Sequence, residues 1–228
     1  MTLPTIGFIG LGVMGMPMAG HLAKAGHTLA LNDHNSTLSR AIASTLGPTA
    51  TACRTPAEVA ERSDIVITML PNGEVVQEVA LGEHGLVHGF KPGSLLLDTS
   101  SAEPWLTQAT AKALKEHGVE MVDAPVSGAQ WGAQEANLVF MVGGEAAAVE
   151  RVRPVLDLMG RAVFHLGGLG AGHAMKCINN LITAMTFTAT SEGMVIGKRY
   201  GLDPAVMVDV LNQCTGMSWV AQTHFHQR

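Results

Sequence analysis

A short apolar run that leads directly into three closely spaced glycines is the feature that most constrains the fold of this 228-residue chain. Residues 5–9 have the length and hydrophobicity of a buried strand, and a helical pattern follows the glycines. In such a strand–turn–helix unit, one glycine permits the turn, one admits a pyrophosphate close to the backbone, and one lets the helix pack against the sheet. The sequence therefore predicts a dinucleotide site in the G-x-G-x-x-G segment formed by Gly10, Leu11, Gly12, Val13, Met14 and Gly15.

An acidic residue lies where the ribose of such a dinucleotide requires one. A second apolar run, residues 28–31, is followed by Asn32 and Asp33. A carboxylate at this point accepts hydrogen bonds from the adenosine ribose and repels a 2′-phosphate, which predicts NAD rather than NADP as cofactor. A role of Asp33 in a turn or a helix cap is the alternative interpretation, and His34 beside it keeps NADP as the second possibility.

Strand and helix patterns alternate through the first three quarters of the chain. Alternation with short connections predicts an α/β fold, a doubly wound and mostly parallel Rossmann sheet. Buried strands are expected at residues 65–70, 95–97, 121–122, 138–142 and 162–166, and helices at 74–81, 103–116 and 146–158.

The pattern becomes purely helical after a glycine-rich segment, residues 167–172, which we expect to be a flexible link. A long helix is predicted over 173–199 and a shorter one over 204–213, with Asp203 as its N-cap. We therefore predict an NAD-binding domain over 1–166 and an all-α domain over 167–228.

The bulk composition excludes several classes of partner. Net charge is −5 and the basic residues are scattered, so no nucleic-acid partner is expected. The apolar stretch 175–196 is interrupted by polar residues, so it predicts a helix and not a membrane span. Cys53, Cys177 and Cys214 lack metal-ligand spacing and suggest reduced thiols; together with the absence of a signal-peptide pattern, they predict a cytoplasmic protein without a metal site.

Lys176 is the most suggestive side chain for catalysis. It lies near the start of the long predicted helix, where the helix dipole disfavours a cation and lowers the pKa of an amine. A lysine with a lowered pKa suits general acid–base chemistry, and Asn180 is predicted to lie one turn further along the same face. A surface lysine without a catalytic role is the alternative.

Three motifs resemble those of the β-hydroxyacid dehydrogenase family, which includes 3-hydroxyisobutyrate dehydrogenase and tartronate semialdehyde reductase. They are residues 7–19 with 24–27, residues 123–128, and residues 170–180, so the resemblance extends over the whole chain. It implies an NAD(P)-dependent oxidoreductase that transfers a hydride between nicotinamide and the hydroxyl-bearing carbon of a small β-hydroxyacid or its semialdehyde. It also implies a homodimer or homotetramer for the complete protein.

The resemblance assigns roles to residues of this chain. Lys176 would be the general acid/base, and Asn180 would orient it and the substrate. The substrate carboxylate would be held by Ser127, Gly128 and the amide of Ala129. The nicotinamide side of the cofactor would be lined by Leu70, Pro71, Val75 and Ser101.

Departures from the family pattern concern the substrate and the length of the chain. Ala129 replaces a second glycine, Ala136-Asn137 replaces Gly-Thr, and the bulky Trp131 lies beside the substrate loop. Family members continue through further helices, so we expect the helical domain to be C-terminally incomplete. An NADPH-dependent semialdehyde reductase and a non-catalytic dinucleotide-binding module are the alternative functions.

Overall fold

The computed structural model describes residues 3–225, which divide into two compact units, one ending at Lys176 and the other beginning at Cys177. The strands of this part of the chain are β1 (Ile6–Ile9), β2 (Leu29–Asn32), β3 (Ala50–Ala52), β4 (Ile65–Thr68), β5 (Leu95–Asp98), β6 (Glu120–Asp123), β7 (Val126–Ser127), β8 (Leu138–Gly143) and β9 (Gly160–Gly167). The helices are α1 (Gly15–Lys24), α2 (Ser36–Leu46), α3 (Pro56–Glu61), α4 (Gly73–Leu81), α5 (Pro104–Glu116), α6 (Ala129–Gln134), α7 (Ala146–Asp157), α8 (Ala171–Tyr200), α9 (Pro204–Gln213) and α10 (Trp219–Thr223). A short 3-10 helix covers Leu86–His88.

The strands of the first unit form one sheet in the order β3-β2-β1-β4-β5-β6-β8-β7, with β9 paired to β8. The pairs from β3 to β6 are all parallel, while β8 runs antiparallel to β6 and β7 and parallel to β9. The strand order reverses its direction between β1 and β4, which creates the crevice where doubly wound sheets bind ligands. The predicted α/β fold with a mostly parallel sheet is thereby confirmed.

The core lies on both faces of this sheet. Alternate residues of a strand point to opposite faces, so Phe8 and Ile67 enter one hydrophobic cluster while Ile9 and Val66 enter the other. The four side chains are at most 2% exposed. Burial on both faces explains why these strands are continuous apolar runs in the sequence.

Polar residues begin several of the helices that cover the sheet. Asn35 accepts hydrogen bonds from the backbone N–H groups of Thr37 and Leu38 at the start of α2, and Asn72 accepts one from Val75 at the start of α4. These caps satisfy amides that the helix itself leaves without partners. Each of these two helices therefore begins within a few residues of the end of the preceding strand, β2 or β4, and covers the sheet.

Two local expectations from the sequence were wrong. The strand expected over 65–70 ends at Thr68, because Leu70 donates its backbone N–H to Ser100 Oγ in the next loop instead of to a strand. The glycine-rich segment is not a flexible link: Gly170 N donates to the buried carboxylate of Asp123 at 2.7 Å. Gly172 packs so closely that a Cβ there would overlap the carbonyl oxygen of Met141.

The second unit consists of the larger part of α8 with α9 and α10. Asp203 caps α9 as predicted, accepting hydrogen bonds from the N–H groups of Ala205 and Val206. The apolar side chains of Ile178, Ile182 and Met185 on α8 are 50–62% exposed.

Candidate active site

The glycine turn after β1 has one open position between two crowded ones. Gly10 has φ +92°, and a Cβ there would overlap the carbonyl oxygen of Met69. A Cβ at Gly15 would overlap the carbonyl oxygen of Gly10, so helix α1 can start here only with glycine. At Gly12, by contrast, an added Cβ would meet nothing within 4 Å. The turn thus leaves space beside the backbone at the start of α1, which fits a pyrophosphate.

Asp33 directly follows β2 and is only 8% exposed. Its Oδ2 accepts a hydrogen bond from Leu11 N at 2.8 Å, and its Oδ1 accepts one from Asn35 N at 2.9 Å. Asn35, not Asp33, is the N-cap of α2. The bond to Leu11 ties the carboxylate to the glycine turn, at the sheet edge where a ribose would follow the pyrophosphate.

The loops after β4 and β5 lie side by side. Leu70 N donates to Ser100 Oγ at 2.9 Å, while Pro71, Val75 and Ser101 are exposed at this edge. The hydroxyls of residues 99–101 do not cap the following helix, because α5 begins after Glu103 and has no side-chain cap.

The predicted substrate loop begins on β7 and continues into α6. Ser127 is half-buried, and Gly128 has φ +135°. Ala129 has φ +54°, a left-handed conformation that is strained for a residue with a Cβ, and so has Ala136 with φ +53°. These two alanines are the positions where the chain departs from the glycines of the family pattern. The loop therefore keeps the left-handed backbone conformation that glycine favours, although alanines occupy these two positions; we call it the glycine-type loop.

Lys176 lies beside that loop. Its side chain is half-buried, and Nζ donates a hydrogen bond to the carbonyl oxygen of Val126 at 2.7 Å. Burial lowers the pKa of Lys176. The direction agrees with the sequence argument, and the cause in the structure is desolvation of the amine. Asn180 belongs to the second unit, where its Oδ1 accepts a hydrogen bond from Asn179 at 3.4 Å.

Sequence reasoning missed a buried polar cluster formed by Asp98, Asp123 and His173. The two aspartates end β5 and β6 and are register partners across the parallel pair. All three side chains are fully buried, and burial raises the pKa of Asp123. The available signal was an aspartate at the end of each of two neighbouring apolar strands.

The described part of the chain holds no group of three or more His, Cys, Asp or Glu residues that could bind a metal ion. None of the helices within residues 3–225 is both long and apolar enough to cross a bilayer.

A glycine turn at the reversal point of a parallel sheet, followed by an acidic residue after the next strand, defines a Rossmann-type protein that binds NAD(P). Comparisons with known proteins specify it further. Residues 5–167 match the model of the NAD-binding domain of 6-phosphogluconate dehydrogenase. Residues 170–228 match the model described as NAD-binding of NADP-dependent 3-hydroxyisobutyrate dehydrogenase. The chain belongs to the β-hydroxyacid dehydrogenase family, whose members are dehydrogenases and reductases that act on CH–OH groups.

Curated relatives and a solved structure extend the match over nearly the whole chain. The 2-(hydroxymethyl)glutarate dehydrogenase of Eubacterium barkeri is 38% identical over 95% of this chain and 71% of its own length. The 3-hydroxyisobutyrate dehydrogenase of Pseudomonas aeruginosa is 38% identical over 94% of this chain and 71% of its own. A structure of Mycobacterium tuberculosis 3-hydroxyisobutyrate dehydrogenase with L-serine superposes with a TM-score of 0.90 at 35% identity, covering 97% of this chain and 74% of that one.

Proposed function

We propose that this chain catalyses the reversible, NAD-dependent oxidation of a small 3-hydroxyacid to its semialdehyde. The observation that carries the proposal is the contact of Lys176 Nζ with the carbonyl oxygen of Val126 at 2.7 Å. It brings an amine with a lowered pKa next to Ser127 and the glycine-type loop, where a substrate carboxylate would be held. Relatives named for hydroxyacid substrates support the same class of substrate.

Carboxylate binding, substrate orientation and proton transfer are assigned to different residues of the site. The hydroxyl group of Ser127 and the amides of Gly128 and Ala129 would bind the carboxylate, and Asn180 would orient the substrate hydroxyl. In the oxidative direction the neutral amine of Lys176 takes the hydroxyl proton and becomes an ammonium group, and loss of hydride from the same carbon would complete the carbonyl product. In the reductive direction the same ammonium returns the proton to the carbonyl oxygen.

The cofactor supplies the hydride acceptor when it is bound. The segment Gly10–Gly15 would hold the pyrophosphate and Asp33 the adenosine ribose. Leu70, Pro71, Val75 and Ser101 would line the path to the nicotinamide. We also propose that residues 1–166 form the cofactor-binding part and 167–228 the helical part; the two family matches, which meet between 167 and 170, support this division.

A screen for NAD reduction with the 228-residue chain over small 3-hydroxyacids tests the activity. We expect at least one 3-hydroxyacid to be oxidised and 2-hydroxyacids of the same size to react far more slowly. Tight NAD binding without turnover of any hydroxyacid would instead favour a non-catalytic binding module.

The preference for NAD depends on the charge of Asp33. Asp33→Asn keeps an oxygen that can accept from Leu11 N but removes the charge that repels a 2′-phosphate. We expect the ratio of the Kd for NADP to the Kd for NAD to fall about tenfold. Two like charges about 4 Å apart repel by roughly 1 kcal/mol in water and by roughly 4 kcal/mol near a protein surface. Fluorescence titration with both cofactors measures this ratio.

An NADPH-dependent semialdehyde reductase is the second candidate, and His34 favours it. His34 Nδ1 lies 2.9 Å from Asp33 Oδ1, and the His34 side chain is 97% exposed. The His34 ring is therefore free to contact a 2′-phosphate. A wild-type preference for NADPH that Asp33→Asn leaves unchanged would establish this alternative and contradict the role given to Asp33.

The lowered pKa of Lys176 predicts opposite pH profiles for the two directions. Oxidation needs the neutral amine, so kcat/KM rises with pH and levels off below the ordinary lysine value of 10.5. Reduction needs the ammonium form, so its rate falls as pH rises through the same range. Initial rates in both directions across the pH range measure this, and a midpoint at the ordinary lysine value would contradict it.

A cytoplasmic location and a homodimer or homotetramer are also proposed. Cys53, Cys177 and Cys214 form no disulfide, which supports a reducing compartment. The exposed apolar side chains of α8 support self-association. Sedimentation analysis of the purified protein tests the oligomeric state.

A further inference from the structure

His173 is a fully buried histidine that the proposed reaction does not use. Its Nε2 lies 3.7 Å from Asp98 Oδ2, and its Nδ1 lies 3.7 Å from Asp123 Oδ2. Asp98 Oδ2 is buried and has no hydrogen-bond partner among the described residues. The imidazole thus stands between two buried carboxylates, one of which has an oxygen with no other partner.

The hydrogen bonds of the ring are specific. Nε2 lies 3.1 Å from the carbonyl oxygen of Ser100, which can only accept, so Nε2 carries a proton. Nδ1 lies 2.8 Å from Thr107 Oγ1, and that hydroxyl also lies 3.2 Å from the carbonyl oxygen of Glu103. The hydroxyl can donate to Nδ1 or to Glu103, so the same heavy-atom arrangement accommodates the neutral and the protonated ring.

Asp123 connects this cluster to the start of α8. Its Oδ1 accepts from Gly170 N at 2.7 Å, and its Oδ2 accepts from His173 N at 2.8 Å. Gly170 immediately precedes α8 and His173 lies in its first turn, where backbone N–H groups lack intrahelical partners. The first turn of α8 is therefore held to β6 through Asp123.

His173 extends this attachment to the neighbouring loop and helix. The ring contacts Ser100 in the loop after β5 and Thr107 on α5. Ser100 Oγ in turn accepts the backbone N–H of Leu70, in the loop proposed to line the cofactor. One side chain thus connects two cofactor-side loops to the helix that carries Lys176 three residues later.

We propose that His173 is a positioning residue for Lys176: its ring holds the first turn of α8 against Ser100 and Thr107 and so determines where the Lys176 amine lies. Three residues along a helix correspond to less than one turn, so a shift of the first turn moves the amine with it. The catalytic consequence rests on the proposed function, in which Lys176 is the acid/base.

The test compares His173→Leu, His173→Gln and Thr107→Val. Leucine fills the space but makes no hydrogen bond, glutamine can donate to Ser100, and valine removes only the partner of Nδ1. His165→Gln is the control, because the His165 ring likewise contacts backbone carbonyl oxygens, those of Gly144 and Gly167, but lies outside the cluster. Thermal unfolding identifies variants that do not fold.

The first readout needs neither cofactor nor substrate. Labelling of Lys176 by an amine-specific reagent is followed against pH by peptide mass spectrometry, with the exposed Lys112 as internal reference. In His173→Leu we expect the labelling midpoint of Lys176 to move to higher pH, as the amine leaves its buried position. The charged or titratable groups that face His173 among the described residues are Asp98 from β5 and Asp123 from β6, and neither is altered in these variants.

The second readout is turnover. We expect kcat of His173→Leu to fall roughly 100-fold, the order expected for a displacement of about 1 Å, with the Kd for NAD changed less than about threefold. Glutamine should restore most of kcat, and Thr107→Val should have an intermediate effect on labelling and on kcat. Wild-type-like labelling of Lys176 with unchanged kcat in folded His173→Leu, or in folded Thr107→Val if the leucine variant does not fold, would overturn the proposal. If labelling responds as expected while wild type oxidises no hydroxyacid, the positioning role stands and the proposed function fails.

Discussion

Lys176→Ala is expected to lower kcat for hydroxyacid oxidation by about 1,000-fold, within the range that a general acid–base group contributes. The amine that takes the hydroxyl proton is then missing, and no other described amine contacts the Val126 carbonyl oxygen. The Kd for NAD should change little, because Lys176 is not among the residues proposed to hold the cofactor. Stopped-flow measurement of NADH formation, with NAD titration in parallel, gives both quantities.

Lys112→Ala is the matched control for this prediction, since Lys112 is an exposed lysine on α5. It should retain wild-type turnover. Retention of near-wild-type activity by Lys176→Ala would remove the proposed mechanism, whereas a loss of both turnover and folding would indicate a structural lysine. Equal, negligible turnover in wild type and both variants, together with NAD binding, would indicate a non-catalytic module.

Alanine at Gly12 is expected to weaken NAD binding without affecting folding, whereas alanine at Gly10 is expected to destabilise the fold. At Gly12 the added methyl group meets no protein atom within 4 Å, so the free energy of unfolding should stay within about 0.5 kcal/mol of wild type. The methyl group occupies the space proposed for the pyrophosphate, however, and the Kd for NAD should rise about tenfold or more. Chemical denaturation and NAD titration measure the two effects.

At Gly10 the same methyl group would overlap the carbonyl oxygen of Met69, on a backbone with φ +92°. Strain and overpacking should together lower the free energy of unfolding by about 3 kcal/mol. A Gly12→Ala variant that binds NAD as wild type does would show that the open space beside Gly12 is not used by the cofactor. A fully stable Gly10→Ala variant would contradict the conformation of the turn.

Much of the first unit could be predicted from the sequence because its strands are buried on both faces. Such strands appear as short apolar runs, and Asn35 and Asn72 cap two of the helices that follow. The two-residue strand β7 could not be predicted, since Val126 and Ser127 are too few to show a period of two. The glycine segment after β9 was interpreted as flexible because composition does not reveal that a carboxylate 47 residues earlier binds its backbone.

The sequence by itself determined the α/β class, the glycine turn with its following acidic residue, and the lysine early in a long helix. All of these depend on residues that are close in the chain, where spacing translates directly into geometry. Tertiary structure alone decided that burial lowers the pKa of Lys176, and that His173 lies between Asp98 and Asp123. Desolvation and the pairing of distant charges arise only when separate strands and helices pack together, so no local pattern records them.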